Sequence, residues 1–376
     1  MPRGKVGTGF TEDKRRALLK QMEKRKSELA PFEAERGVTW VRPELVAEIE
    51  FAEITRDGSI RQGSFVSLRE DKSADEVHLD AVEQASIGSD ESIVKGIEIT
   101  HPERIVFPAD GIPKLEVARF YERVGELMMP YLEGRPLALL RAPDGIGGST
   151  FFQKSFKDHV PPKVKMKTLD DGSEVIHISS LEGLISLVQF GVLEIHPWGA
   201  ALSNIEKPDV LVWDLDPDKT VPWEEVKGAA FLLRDFLGGH GLETQVKTSG
   251  GKGLHVMLYL KRMHGWEAMK PFTKAVAAAV AQQNPQRFTI TASMAKRGGK
   301  IYIDWLRNGR GATCIAPWGL RARDGAAVST PLDWDDLAKL DARGFTMREP
   351  FKLPGDWKGI APQAVSKKLL KELGVG

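Results

Sequence analysis

Hydrophobic and polar positions along the chain fall into three zones. In residues 1–72, the charged stretch TEDKRRALLKQMEKRKSEL has helical spacing and precedes VRPELVAEIEFAEITRDGSIRQGSFVSLREDK. There Val46, Ile49, Phe51 and Ile54 belong to strand-like segments, and TRDGS supplies the turn of a predicted hairpin. Residues 73–95 hold six acidic residues and one basic residue among Ser and Ala, which reads as a solvated linker.

From Gly96 onward the pattern is dense α/β. LEVARFYERVGELMMPYL predicts an amphipathic helix behind a DGIPK turn, and PLALLRAP a strand. SLEGLISLVQFGV is helical, and VPWEEVKGAAFLLRDFLGGHG is a helix closed by glycines. PDVLVWD is a short buried strand, and LETQVKTSGGKGLHVMLYL a strand, a glycine-rich loop and a strand. WEAMKPFTKAVAAAVAQQNP predicts a further helix, and KIYIDWLRNGRGATCIAPWGLRAR a hairpin around RNGRG. No internal repeat is present.

With 376 residues, 41% of them hydrophobic, the chain can bury one large or two medium cores. No apolar run reaches 18 residues, so no transmembrane helix is expected, and the first residues lack a signal-type apolar segment. The single cysteine, Cys314, excludes an intrachain disulfide and argues against a cysteine-based zinc site, which fits a reducing, cytoplasmic setting. A net charge of +1 is weak evidence against nucleic-acid binding, because total charge hides local patches.

The chemistry concentrates in VWDLDPD. Residues i and i+2 of a strand share a face, so Asp214 and Asp216 project side by side. Two like charges about 6–7 Å apart repel by roughly 2–3 kcal/mol at an effective dielectric of about 20. A turn and helix N-cap is one explanation of the Asp-Pro-Asp run. A hard divalent cation, which turns the repulsion into attraction, is the other. Asp304, in the apolar run KIYIDWL, is a third carboxylate in a place costly for an unpaired charge; a salt bridge to Arg307 is its structural alternative.

TSGGKGLHV lies between two predicted strands. Gly250, Gly251 and Gly253 free the backbone to form an anion nest, with a hydroxyl from Ser249, a charge from Lys252 and His255 opening the next strand. A plain hairpin turn has the same composition, and the spacing is not that of a Walker A loop. Arg307, Arg310, Arg321 and Arg323 follow, of which Arg310 and Arg323 suit a solvated hairpin edge. His196, in EIHPWG, has the surroundings of a core histidine. Phe151 and Phe152 beside Lys154 and Lys157 suit base stacking with phosphate contact, although core packing is the commoner fate of Phe-Phe.

The set WDLDPD, TSGGKGLH and YIDWLRN, with DGIGGSTFFQK, EIHPWG and APWGLRAR around it, resembles the polymerase domain of bacterial DNA ligase D, of the archaeo-eukaryotic primase superfamily, over about residues 96–376. The resemblance implies an α/β (α+β) primase-polymerase fold, with a mixed or antiparallel catalytic sheet flanked by helices. It implies metal ligation by Asp214, Asp216 and Asp304, and nucleotide contacts from Ser249, Gly250, Gly251, Lys252, His255, Arg307, Arg321 and His196. It implies template packing by Phe151 and Phe152 beside Lys154, and 5′-phosphate binding by Arg104 and Lys114. The expected activity is nucleotidyl transfer from NTP or dNTP, ribonucleotides preferred, with two divalent cations, Mn²⁺ or Mg²⁺, filling gaps and extending 3′ ends in non-homologous end joining.

GVTWVRPELVAEIEFAEIT and SFVSLREDK resemble the end of the OB-fold domain of the same ligase, with REDK, Arg69 to Lys72, as its last motif. No K-x-D-G adenylation motif occurs, and 72 residues hold too few strands for a closed OB barrel. The expectation is a partial OB-fold segment over 1–72, a linker over 73–95, a polymerase over 96–376, and no autonomous ligase activity. A fragment or split product of a longer ligase–polymerase, with a separate ligase and Ku as possible partners, fits that reading. A primase that starts chains without a primer, or a non-catalytic DNA-end-binding module, are the alternatives.

Overall fold

The computed structural model describes residues 4–27, 38–50, 53–54, 60–68, 92–157, 159–341, 344–349 and 361–375, and divides into two units, Met1–Ile87 and Gly88–Gly376. In the first unit, β1 (Gly4–Thr8), α1 (Glu12–Glu23), β2 (Ala47–Glu50), β3 (Glu53–Ile54) and β4 (Ile60–Leu68) follow in order. β4 pairs with β1 in parallel and with β2 and β3 antiparallel. Thr11 caps α1 by accepting the Lys14 N–H at 3.3 Å, yet the helix buries no residue. Its charged sequence leaves only a short apolar stripe, which explains why the helix ends before the predicted stretch does. The β3–β4 pairing of Ile54 with Ile60 is the predicted hairpin; its TRDGS turn, the REDK motif and residues 73–91 of the expected linker lie outside the described residues.

The second unit holds two sheets, each with its own core. Its strands are β5 (Leu137–Arg141), β6 (Phe151–Gln153), β7 (Val164–Thr168), β8 (Glu174–Ile178), β9 (Val192–Pro197), β10 (Val210–Pro217), β11 (Gln245–Thr248), β12 (Leu254–Tyr259), β13 (Phe288–Thr289), β14 (Ile301–Asp304) and β15 (Pro331–Leu332), with short pairs beside them. The helices are α2 (Lys114–Leu132), α3 (Leu181–Gln189), α4 (Trp223–Gly238), α5 (Trp266–Gln283), α6 (Trp334–Lys339) and α7 (Lys367–Glu372). One sheet runs β6-β5-β8-β7, with β9 on the other side of β5. The other runs β13-β14-β10-β12-β11-β15 and is antiparallel except for β13 with β14. The fold is therefore mixed α/β with a largely antiparallel six-stranded sheet.

The period-two pattern of the six-stranded sheet decides its two faces. Leu211, Trp213, Leu215, Val256, Leu258, Ile301 and Ile303 form one core with apolar residues of α4 and α5. Asp214, Asp216, His255, Tyr302 and Asp304 alternate with them and share the opposite face. The other core joins Leu137, Leu139, Ile176, Ile178, Leu193 and Ile195 to apolar residues of α2 and α3.

Two local expectations are corrected. Asp218 does not cap α4, which begins at Trp223 behind Pro222. Its Oδ1 accepts from Thr220 N at 3.1 Å and Thr220 Oγ1 at 2.8 Å, closing an Asx turn ahead of the helix. Nor do residues 305–323 form a hairpin. β14 pairs with β10 only from Asp214 to Pro217 and ends at Asp304. The Asn308 side chain continues the ladder in its place: Oδ1 accepts from Val212 N at 2.7 Å, and Nδ2 donates to Val212 O at 2.6 Å. An amide that imitates a peptide group removes the need for a longer strand. Thr313 then bridges to Trp198, and Leu320 to Val328.

A second buried polar group stabilises the same face. The Lys247 ammonium lies 2.9 Å from His255 Nδ1 and donates to Ser329 Oγ at 2.6 Å, with no solvent exposure. Burial lowers its pKa to about 8, against the raising effects of Cys314 and Asp214. An unfolded lysine keeps its proton to about 10.5, so above about pH 8 the unfolded state binds more protons than the folded one. Urea titrations of wild type and Lys247→Met should therefore diverge in favour of wild type between about pH 8 and 10.5, by on the order of 3 kcal/mol, with a constant difference between about pH 7 and 8, above the titration of His255. Asn308→Ala strips both partners from the buried Val212 backbone and should lower unfolding free energy by about 2–4 kcal/mol in the same assay.

Candidate active site

β10 and β14 place Asp214 directly opposite Asp304, with Asp216 two residues along the same face and opposite Tyr302. Each carboxylate is met by basic or donor groups. Arg307 Nε stands 3.3 Å from Asp304 Oδ2 and 3.8 Å from Asp214 Oδ2, bridging the pair. His255 Nε2 lies 3.4 Å from Asp214 Oδ1. Asp216 pairs with Arg297 at 2.8 Å and with Lys252 at 3.1 Å. Asp304 Oδ1 accepts from Tyr302 OH at 3.0 Å and from Leu306 N at 2.8 Å.

Electrostatics separates the two opposed carboxylates. Burial would raise the Asp214 carboxyl, but the charge and hydrogen bond of His255, with Arg307 and Lys247, bring it to about 2. Burial raises the Asp304 carboxyl; the Leu306 N–H opposes that shift and the Asp214 charge adds to it. Burial, helped by Lys247, lowers His255 to about 4, so its imidazole is neutral at pH 7. Lys247 then donates to Nδ1, and the remaining proton on Nε2 faces Asp214.

Among the described residues, no three His, Cys, Asp or Glu side chains are arranged to hold a metal ion. Asp214, Asp216 and Asp304 are nevertheless hard oxygen donors on one sheet face, the ligand type a divalent cation prefers, and in this structure their charge is offset by Arg307, Arg297 and Lys252. These basic groups supply the positive charge that the clustered carboxylates require.

The glycine loop lies against this face. Ser249 N donates to Gly253 O at 3.0 Å and Gly253 N to Ser249 Oγ at 3.2 Å, closing the turn. A side chain on Gly253 would collide with the Leu215 carbonyl, so glycine is needed for the loop to approach β10. Gly250 has φ +65° and packs beside Arg321, and Gly251 packs beside Arg323. The N–H groups of Gly250, Gly251 and Lys252 have no partner among the described residues, as an anion nest requires.

The β9 strand closes the site from the other sheet. His196 Nε2 lies 2.8 Å from Glu194 Oε2, and Phe152 meets the imidazole edge-on at 5.5 Å. Burial lowers the His196 pKa, with Glu194 opposing that shift. Arg321 Nε donates to Glu194 Oε1 at 3.1 Å and its Nη1 to Ser249 O at 3.0 Å. Phe151 and Phe152 are 42% and 59% exposed, which excludes core packing as their role. Lys154 is exposed beside them, whereas Arg310 is engaged by Asp171 and Glu206.

Arg104 and Lys114 border a cavity of about 280 Å³, with His101, Arg141 and Gln189 in its wall and no acidic residue. Lys114 Nζ donates to Thr100 O at 3.0 Å and Gln189 Oε1 at 2.8 Å; burial and the Arg104 charge lower its pKa to about 8, against Glu103. Arg141 also covers the Phe151 ring at 5.4 Å, so the cavity wall continues to the exposed aromatic pair.

Sequence reasoning missed Glu194, Lys247, Arg297, Tyr302 and Arg141. Glu194 had a signal, an acid two residues before His196 in an otherwise apolar strand. Arg297 had none, because its loop meets Asp216 only through the tertiary fold.

Comparison with known proteins identifies the family. Residues 113–354 match the family model "LigD, primase-polymerase domain", and residues 1–72 match "ATP dependent DNA ligase C terminal region". The multifunctional non-homologous end joining protein LigD of Pseudomonas aeruginosa is 39% identical over 400 residues, covering 99% of this chain and 48% of that protein. The bifunctional LigD of Bacillus subtilis is 25% identical over 342 residues, covering 89% and 53%. The chain thus spans about half the length of these relatives. The polymerase domain of Mycobacterium tuberculosis ligase D, solved in complex with DNA, superposes with a TM-score of 0.63 at 29% identity, covering 67% of this chain and 91% of that one. The chain therefore belongs to the LigD primase-polymerase domain family of nucleotidyltransferases.

Proposed function

We propose that this chain extends a primer 3′-hydroxyl with an NTP on a DNA template, at gaps and broken ends during non-homologous end joining in the bacterial cytoplasm. The observation that carries the reading is the cross-strand pairing of Asp214 with Asp304, with Asp216 on the same face and a glycine-rich loop packed beside it. The three aspartates would hold two divalent cations, Mn²⁺ or Mg²⁺. Bound there, such ions would lower the pKa of the attacking hydroxyl and neutralise the departing pyrophosphate.

The protein's own groups divide the remaining work. The free N–H groups of Gly250, Gly251 and Lys252, with the Lys252 ammonium and the Ser249 hydroxyl, would receive the triphosphate. Arg307 and Arg321 would supply further charge-assisted hydrogen bonds, and His255, neutral and buried, would orient Asp214 through its Nε2–H. His196 would line the nucleotide side. Phe151 and Phe152 would stack on the template at the break, and Lys154 would contact its phosphates. The cavity of Arg104 and Lys114 would take the 5′-phosphate of the downstream strand.

The expected linker over 73–95 reaches too far, because Ile93–Val94 pairs with Ile97–Glu98 and Val94 is buried in the second unit's core; residues 1–72 are proposed as the C-terminal part of a ligase OB-fold, 73–91 as a linker and 92–376 as the polymerase. Without a K-x-D-G motif in the sequence, no nick sealing is expected, and a ligase and Ku are proposed partners.

Gap filling on 5′-phosphorylated DNA tests the reading. NTP should be used better than dNTP, and Mn²⁺ better than Mg²⁺, while the folded Asp214→Ala/Asp216→Ala variant should show no extension. Normal extension by that variant, or tight gap binding with no metal-dependent NTP incorporation by wild type, would refute it. Dinucleotide synthesis without primer would favour a primase. Lys114→Ala should reduce the preference for a 5′-phosphate over a 5′-hydroxyl by about tenfold in anisotropy titrations, with binding to blunt 5′-hydroxyl DNA unchanged.

A further inference from the structure

Glu194 is a carboxylate inside a strand whose every residue is buried. An isolated carboxylate there would be costly, and a purely structural one would be well replaced by an apolar residue. Instead it accepts three hydrogen bonds divided unequally between its two oxygens. Oε1 takes Arg321 Nε at 3.1 Å and Ala322 N at 2.8 Å; Oε2 faces only His196 Nε2, at 2.8 Å. These bonds and charges outweigh burial and bring the carboxyl to about 2, so it is ionised at pH 7.

The strand is built to present this carboxylate. In the pairing of β9 with β5, Val192 faces Arg141 and Glu194 faces Leu140, so the register shifts between them. The irregularity lets both Val192 and Leu193 enter the core, after which Ile195 points inward while Glu194 and His196 share the other side. Tyr121 holds the backbone in place by donating to Leu193 O at 2.6 Å and accepting from Leu320 N at 3.1 Å. Both segments that meet at Glu194, the β9 strand and the 320–322 run, are thus tied to one tyrosine.

We propose that Glu194 is the positioning residue of the nucleotide pocket, holding Arg321 against the glycine loop and fixing His196 in the tautomer whose Nδ1 is a hydrogen-bond acceptor. A carboxylate oxygen can only accept, so the neutral imidazole carries its proton on Nε2 and keeps a lone pair on Nδ1. Arg321 passes the restraint onward through its 3.0 Å bond to Ser249 O, at the start of the phosphate-binding turn. One buried acid thereby sets the orientation of two groups proposed to contact the incoming nucleotide. This inference rests on the assignment of that pocket to the nucleotide.

Glu194→Gln tests it because the exchange preserves shape. Arg321 and Ala322 both donate to Oε1, which must remain the carbonyl oxygen, so the new amide nitrogen faces His196. The imidazole must then accept at Nε2 and move its proton to Nδ1. In ¹⁵N-histidine spectra of the full chain, His196 should report the Nε2–H tautomer in wild type and the Nδ1–H tautomer in the variant. The KM for NTP and the Kd for ATP should rise at least about tenfold, with primer-template affinity little changed and the variant, although less stable, still folded at the assay temperature. An Nδ1–H tautomer in wild type, or a tautomer switch with nucleotide affinity within twofold, would overturn the proposal. If Glu194→Gln does not fold, the wild-type spectrum still decides the tautomer, and Glu194→Asp, too short to reach His196 without strain, must show the same loss of nucleotide affinity. Wild type that binds ATP but extends no primer would count against the polymerase reading and leave the tautomer and affinity results to judge Glu194.

Discussion

Two carboxylates face each other across adjacent strands, and the surrounding structure is arranged around that repulsion. Asp214 and Asp304 are in direct register, where like charges destabilise a sheet. Neither can escape to solvent, since both side chains are mostly covered. Arg307 bridges them, His255 and Lys247 stand behind Asp214, and Arg297 and Lys252 hold Asp216. Delivering those groups requires the tight turn after β14, the close approach of Gly253 to β10 and the buried lysine beneath His255. Carboxylates that draw in this much positive charge are also the donor type that a hard divalent cation prefers.

The second sheet contributes the opposite arrangement. There a single buried acid, Glu194, organises a histidine and an arginine, and through Arg321 reaches the loop on the first sheet. Acidic groups surrounded by bases on one side, and an acid holding basic groups on the other, frame the same space. The aromatic pair on β6 extends this frame: Phe152 touches His196, and Phe151 lies under Arg141, which also borders the Arg104 and Lys114 cavity. The elements proposed to bind nucleotide, template and 5′-phosphate are thus joined by side-chain contacts.

Most regular elements were legible because their cause is local. The period-two run of VLVWDLDP and the helical spacing from Trp266 to Gln283 each follow from which face is buried. Thr11 and Ser180 act as helix caps. The hairpin expected around RNGRG failed for a reason outside the local pattern. Asn308 occupies the edge of β10, so the strand partner that turn chemistry predicts has no ladder to join. Asp218 failed similarly, because Pro222 offers a later start to α4. Of the site, the aspartates, the glycine loop and the aromatic pair stood out as departures from a plain core pattern. Glu194 offered only the signal of an acid two residues before His196, and Lys247 and Arg297 offered none, since the Arg321, Ser329 and Asp216 that they meet are brought near only by the fold.

The sequence by itself determined which faces of the strands are apolar, where glycine allows close backbone approach, and that carboxylates interrupt two buried strands. Those properties depend on alternation, side-chain size and charge, which are written one residue at a time. Only the tertiary structure decided that Asp214 lies opposite Asp304, that Arg297 answers Asp216, and that one buried glutamate orients both His196 and Arg321. Apart from Glu194 and His196, neighbours on one strand, these partners lie tens to more than a hundred residues apart and are selected by register and by the cost of leaving a buried charge alone, and neither can be read from local pattern.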